Sequence, residues 1–262
     1  MTAAVVLFPI VALIGFAVGL TALGGFLIVP ALAYLWPLPI DQAIATTLFA
    51  TVPAPVLMLS LFRRQGLPIA DGASDMLLAG AAGGIAGGAS VSLLPAATLT
   101  LLLAVVVITA SLMGLIEFGA VRAGRRPPRA PGAPGTRGRD AGPGLGRSAR
   151  ALVAGGSAAL SATTGAGGPI ISIPLMLALG VEVRRAIIAS QWMMLAGTFA
   201  AVVVLLVEGR VRIGLGLATS AMAMGGIALG MQVARRLAGG TYRRIVAVTG
   251  LATGMWLLAR AL

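Results

Sequence analysis

Residues 19–30, GLTALGGFLIVP, and residues 163–174, TTGAGGPIISIP, decide how this chain is built. Each is a glycine-rich break in apolar sequence that runs into a short helix-like stretch interrupted by a proline, Pro30 or Pro174. Each glycine in a helix interior costs roughly 1 kcal/mol relative to alanine, so several together mark a place where the helix stops. The two breaks belong to a wider duplication. A shift of 143 positions lays Ala43 and Ile44 on Ala186 and Ile187, Gly66 on Gly209, Gly83 on Gly226 and Gly87 on Gly230. Leu94 falls on Leu237, Thr98 on Thr241, and Ala104 with Val105 on Ala247 with Val248; a one-residue slip then aligns Pro30 with Pro174. Two related halves around a central site are a common plan for membrane transporters.

Composition agrees with that plan and excludes most others. The 262 residues are 58% hydrophobic and only 10% charged, with a mean hydropathy of +1.02, far outside the range of soluble domains. Apolar runs fall at residues 3–20, 26–36, 42–62, 73–93 and 97–118, and again at 151–164, 169–180, 185–207, 211–234 and 243–262. The second run of each half is too short to cross a bilayer comfortably. The expected fold is an all-α polytopic membrane protein with about eight to ten membrane segments, short broken helices and two homologous halves, residues 1–118 and 151–262. No Lys or Arg precedes Phe8, so a cleaved signal peptide is not expected.

Between the halves, residues 119–150 carry eight Arg, eight Gly and five Pro against one acid, Asp140. Such a stretch cannot bury apolar surface and reads as a disordered linker. Its arginines place it on the cytoplasmic side. Counting spans outward from it puts Arg63, Arg64, Arg235, Arg236, Arg243 and Arg244 on that side if the second half is inverted, at the expense of leaving Arg210 and Arg212 outside. We therefore expect inverted repeats in a multi-pass membrane protein. The net charge of +12 follows from this topology rather than from nucleic-acid binding.

There is no cysteine or histidine, so thiolate and imidazole metal sites, Cys nucleophiles and His-based triads are absent. No cofactor, no metal and no enzymatic activity are expected. Asp41, Asp71, Asp75, Glu117, Asp140, Glu182 and Glu208 all fall at segment ends, in loops or in the linker. A proton relay through the membrane therefore has no evident carrier.

A helix interrupted inside a bilayer needs protein or a polar cavity to satisfy its backbone. The restarting helix offers free N–H groups and the positive end of its dipole, where an anion binds. We assign substrate-binding roles to Gly24, Gly25, Gly167 and Gly168 through their backbone, and to the hydroxyls of Thr21 and Thr164; Thr163 lies beside them. Thr46, Thr47, Ser190 and Gln191 at the start of the third segment of each half add side-chain donors, and Thr51 shares a face with Thr47. Interhelical hydrogen bonding between packed spans is the competing reading for this group. The same applies to Gly80, Gly83, Gly84, Gly87, Gly88, Gly225, Gly226 and Gly230, read as small-residue packing positions. Trp192 reads as an anchor or core filler.

The break ending in Gly24, Gly25, Phe26, Leu27, Ile28, Val29 and Pro30, then Ala43 to Thr47, then a second copy in which Gly167, Gly168 and Pro169 lead to Pro174, resembles the TauE/SafE sulfite exporter family. The resemblance covers nearly all of both halves and excludes the linker. It implies transport of sulfite, organosulfonates or related sulfur-containing anions across the bacterial inner membrane. The family's usual third glycine is matched by Gly25 in the first copy and replaced by Pro169 in the second. Uptake of a related anion, and a scaffold subunit whose glycines only pack helices, are the alternatives. The expected partners are a small anion and the lipid bilayer, with a homo-oligomer compatible with both.

Overall fold

A computed structural model describes residues 2–21, 25–64, 73–122, 146–181, 183–234 and 241–261. The described residues are mostly helical, with no strand among them. The first half contains α1 (Thr2–Thr21), a 3-10 turn (Gly25–Leu27) leading into α2 (Ile28–Leu35), α3 (Ile40–Thr51), α4 (Pro53–Arg64), α5 (Ala73–Leu93) and α6 (Ala96–Arg122). The second contains α7 (Arg147–Thr164), α8 (Pro169–Ala178), α9 (Val183–Val207), α10 (Ile213–Ala234) and α11 (Thr241–Ala261). Most of the linker, residues 123–145, lies outside the described residues; helix reaches Arg122 and resumes at Arg147, a few residues inside the limits expected from composition.

Five stretches are long and apolar enough to cross a membrane: Ile40–Ser60, Ser74–Leu93, Ala96–Met113, Arg185–Val207 and Ile213–Val233. The chain is an all-α polytopic membrane protein. Large apolar side chains such as Leu13, Leu78, Ile85, Phe199, Leu217 and Leu229 point outward, a surface that only lipid or another apolar partner can cover. The third apolar run of the first half, residues 42–62, is long enough to span as a helix, and it is interrupted within that length. It breaks at Val52, because Pro53 and Pro55 remove two backbone donors from the ladder. The Val52 N–H bonds back to Phe49 O at 3.3 Å, and Thr51 Oγ1 donates to Thr47 O at 3.0 Å and Leu48 O at 3.1 Å. The second half, with no proline in this segment, keeps α9 continuous over 25 residues.

Glycine sets how closely the helices approach. A Cβ at Gly83 or Gly84 would overlap the carbonyl of Gly155 in α7 or of Gly197 in α9, and one at Gly87 the carbonyl of Ala159. On the other side of the molecule, Gly226 and Gly230 of α10 meet the backbone of α1 at Ala12 and Phe16 in the same way. The packing role expected for the α5 and α10 glycines holds at these positions, whereas Gly225 faces open space. Gly19, quoted above as part of the first break, is a packing glycine too: it lies inside α1 against Ile227 and Gly230.

These contacts also give direction. Gly80, Gly84 and Gly88 of α5 meet Met193, Gly197 and Ala201 of α9 in ascending order, so the two helices run the same way. Gly83 and Gly87 meet Gly155 and Ala159, so α7 runs with them; Gly15 and Gly19 meet Ala223 and Ile227, so α1 runs with α10. Gly250 meets Ser111 while Gly254 meets Ile108, so α11 and α6 are antiparallel. Under the 143-residue shift, the α1–α10 pair is the counterpart of the α7–α5 pair, and α6 is the counterpart of α11.

Charged residues gather at the two ends of this bundle. On the face where the linker begins and ends, Arg147 Nε and Arg150 Nη2 both bridge to Asp75 at 3.2 Å. On the opposite face Arg210 pairs with Asp41 and, at 3.9 Å, with Glu208, which accepts from Ser92 Oγ at 3.1 Å. Arg235, Arg236, Asp71, Asp140 and Glu182 lie outside the described residues. Because the chain has no cysteine, single cysteines report sidedness cleanly. With the linker cytoplasmic, a Leu93→Cys protein should react with an impermeant maleimide on intact cells, and a Ser148→Cys protein only after permeabilisation. Labelling in the reverse order would overturn the orientation.

Candidate functional site

The second break is described in full. α7 ends at Thr164, and Gly165 takes the left-handed conformation with φ 67°, its N–H bonded to Ser161 O at 2.8 Å. Gly167 has φ 86°. L side chains avoid both conformations, which is why this turn needs glycine. Thr164 Oγ1 donates to Leu160 O at 2.8 Å and accepts the Ala166 N–H at 3.4 Å, capping the turn from inside. The chain then restarts as α8, with Pro169 as its first residue. Proline suits that position, since it fixes a helical φ and the missing N–H would have no intrahelical acceptor anyway. The substitution of the family's third glycine by Pro169 therefore preserves the helix start and removes one donor from it.

The N–H groups of Gly167, Gly168 and Ile170 find no acceptor among the described residues; the first α8 bonds are Ile171 N to Gly168 O at 3.2 Å and Ser172 N to the same oxygen at 3.0 Å. α8 is 10 residues long, about 15 Å, half a bilayer. Its N-terminus thus lies inside the protein rather than at a surface.

The break sits between α3 and α9. A Cβ at Gly165 would lie 2.7 Å from Val29 Cγ2 and 3.5 Å from Ile44 Cα, and one at Gly168 would lie 2.7 Å from Met193 Cε and 3.6 Å from Met194 Cβ. Ile44 is one turn from Thr47, and Met194 one turn from Ser190 and Gln191, so these groups flank the turn; Thr46, two residues from Ile44, lies on another face of α3 towards Arg212. Thr46, Thr47, Thr164 and Ser190 are fully buried, and Gln191 is 3% exposed. Their hydrogen bonds differ. Ser190 Oγ donates to Ile187 O at 2.7 Å, and Thr46 Oγ1 accepts the Arg212 N–H at 3.2 Å. Thr47 Oγ1 has no partner among the described residues. In an apolar helix bundle a threonine ordinarily back-bonds to its own helix, as Thr100 and Thr109 do at 2.8 Å. A buried hydroxyl left unmatched is destabilising by about 1–3 kcal/mol, and Thr47 departs from the usual pattern in this way.

Other residues singled out from the sequence are placed elsewhere. Thr163 donates to Ala159 O at 2.9 Å and Gly87 O at 3.4 Å, which aims it at α5, away from the turn. Thr51 is tied to the carbonyls of Thr47 and Leu48 and does not extend the donor set. The Trp192 indole N–H is buried without a partner among the described residues. In the first half, Gly24 lies outside the described residues, and of Thr21 only the helical backbone is described. Gly25 begins the 3-10 turn with no atom within 4 Å of where a Cβ would be. Sequence reading passed over Ser157 and Thr219, two further buried hydroxyls lacking partners among the described residues. Neither has a hydroxyl at the matching position of the other half, so the duplication gave no signal for them.

These features define a multi-pass membrane protein with a half-length helix that restarts inside it and presents unpaired polar donors. The match of residues 7–257 to the model of the sulfite exporter TauE/SafE family spans almost the entire chain, and the protein belongs to that family. No curated protein and no solved structure matches it. Members of the family are membrane transporters rather than enzymes, and membership implies an exporter-type carrier of sulfite or related sulfur anions.

Gly165 is the point where the turn is least tolerant. An alanine there adds left-handed strain of about 1–2 kcal/mol and pushes on Val29 Cγ2. Gly165→Ala should lower the thermal unfolding midpoint by several degrees in detergent, whereas Gly156→Ala, with open space around its Cβ position, should not.

Proposed function

We propose that the protein exports a small sulfur oxyanion, sulfite or an organosulfonate, across the bacterial inner membrane, holding it at the broken helices near midplane. The observation that carries this reading is the set of unpaired amides of Gly167, Gly168 and Ile170, with a buried, unpartnered hydroxyl, Thr47, one helical turn along α3 from the Ile44 that packs against Gly165. Amides at a helix start complement an oxyanion without a competing counter-charge, and Thr164, Ser190 and Gln191 can turn towards it, whereas Thr46 is held by the Arg212 N–H. Gly24, Gly25 and Thr21 supply the corresponding donors of the first half. The antiparallel run of α6 and α11 supports inverted repeats, in which one half rocks against the other around the bound anion. The membrane potential drives export of an anion by about 2.3 kcal/mol per charge per 100 mV, so no intramembrane carboxylate is required.

Purified protein in proteoliposomes, tested with sulfite, sulfoacetate, sulfate and thiosulfate, should move at least one of the sulfur anions. Thr47→Val removes a donor to a charged ligand and should slow transport by roughly tenfold or more. Gly168→Leu should abolish transport while the protein still inserts in the membrane. Transport at the parent rate by Gly168→Leu would overturn the site, and liposomes that move no anion would favour a scaffold.

A further inference from the structure

Glycine contacts also show which helices share a body, and the grouping departs from the two halves of the sequence. α5 belongs to the first half yet packs along α7 and α9 of the second, while α10 belongs to the second half yet packs along α1 and α3 of the first. The two exchanges match position by position. A Cβ on Gly83 would strike the carbonyl of Gly155, and one on Gly87 that of Ala159. The 143-residue shift turns Gly83 and Gly87 into Gly226 and Gly230, and relates Gly155 and Ala159 to Ala12 and Phe16. Gly226 meets the Ala12 carbonyl and Gly230 the Phe16 carbonyl. The same backbone contact is therefore made twice, each time between the fourth segment of one half and the first segment of the other.

One block thus consists of α1, α2, α3 and α10, and the other of α5, α7, α8 and α9; α4 joins the second by packing on α9. Within each block, backbones touch where a single methyl group would not fit, and an interface packed that closely moves as one piece. The seam between the blocks passes through the second break: Gly165 of the second block meets Val29 and Ile44 of the first. Among the described residues, the chain passes directly from one block to the other at two places. One is the interruption at Val52, between α3 and α4, where Pro53 and Pro55 take donors out of the ladder. The other is the turn from α9 into α10, where Gly209 is left-handed with φ 68° and Arg210 pairs with Asp41 of α3. Neither crossing is a continuous helix, so each can absorb a change of angle.

We infer that the bodies that move against each other in this protein are these exchanged blocks, α1, α2, α3 and α10 against α4, α5, α7, α8 and α9, hinged at Val52–Pro53 and Glu208–Gly209. The inference rests on the reading that the chain transports an anion held at the Gly165–Gly168 turn, and it replaces the sequence halves by the blocks as the rocking units. Motion of the halves would tear α5 from α7 and α10 from α1 at the glycine contacts. Motion of the blocks leaves those contacts intact and opens the seam beside Gly165, where the anion is held.

Halves and blocks make opposite predictions. Ala79 Cβ lies 4.0 Å from the Cβ position of Gly155, within the range of about 3.5–4.5 Å that a disulfide spans. In this cysteine-free chain, an Ala79→Cys, Gly155→Cys protein therefore locks the first half to the second inside one block. Oxidised in proteoliposomes, it should carry sulfite at the rate of its reduced form; loss of flux on oxidation, with recovery on reduction, would overturn the inference. Spin labels at exposed positions need neither the disulfide nor flux. Leu13 and Leu78 lie in the same half but in different blocks, whereas Leu78 and Phe199 lie in different halves but in the same block, and all three side chains point outward. With Leu13→Cys, Leu78→Cys labelled in liposomes, the distance should shift or broaden when millimolar sulfite is added. With Leu78→Cys, Phe199→Cys it should stay fixed. The reverse pattern, or two invariant distances, would overturn the inference. A changing Leu13–Leu78 distance in protein that moves no anion faults the transport reading alone, and anion flux with an invariant Leu13–Leu78 distance faults the blocks.

Discussion

Every backbone N–H and C=O within the hydrocarbon must find a partner inside the protein, and the architecture follows from that requirement. Long helices meet it locally, which leaves the helices free to pack by shape. Glycine then lets backbones touch: α5 lies against α7 and α9, and α10 against α1, at distances that a single methyl group would prevent at Gly83, Gly84, Gly226 or Gly230. That close packing makes a rigid frame, and the frame permits the exception. Only where surrounding helices fix the chain can a turn such as Gly165–Gly168 persist at depth with donors unused.

The two interruptions are related but not equal. In the second half Pro169 starts α8 directly from the turn, while in the first half a 3-10 turn at Gly25–Leu27 precedes α2. The third segments differ in the opposite sense. Pro53 and Pro55 break the first-half segment into α3 and α4, whereas α9 continues unbroken. Each half is therefore interrupted at a different place. The buried hydroxyls are distributed with the same asymmetry: Ser157 and Ser161 of α7 correspond by the 143-residue shift to Ile14 and Val18 of α1.

Much of this was legible in the sequence because the signals were strong and repeated. Hydropathy located the spans, and glycine next to proline located the turns. The packing glycines of α5 could be separated from the turn glycines because they recur at helical spacing within a long span. What the sequence concealed was direction and pairing. Gly19 and Gly24 look alike in a run of letters, yet Gly19 packs within a helix against α10. Thr163 and Thr164 are adjacent, and one turn of the helix decides that the first faces α5 and the second the turn. Thr47 was one of several candidate hydroxyls in the sequence, and only hydrogen bonding sets it apart from Thr46 and Ser190, since an unpartnered hydroxyl is a property of the fold and not of the residue type.

Arg210 and Arg212 bring these threads together. Counting charges, both weigh against an inverted second half, because positive residues are depleted from the external face. The structure separates the two. Arg210 is neutralised by Asp41 and Glu208, carboxylates drawn from both halves, so it acts as a clasp between α3 and the start of α10. Arg212 retains its charge at a helix N-terminus, where a cation is electrostatically unfavourable and a carboxylate would be the stabilising choice.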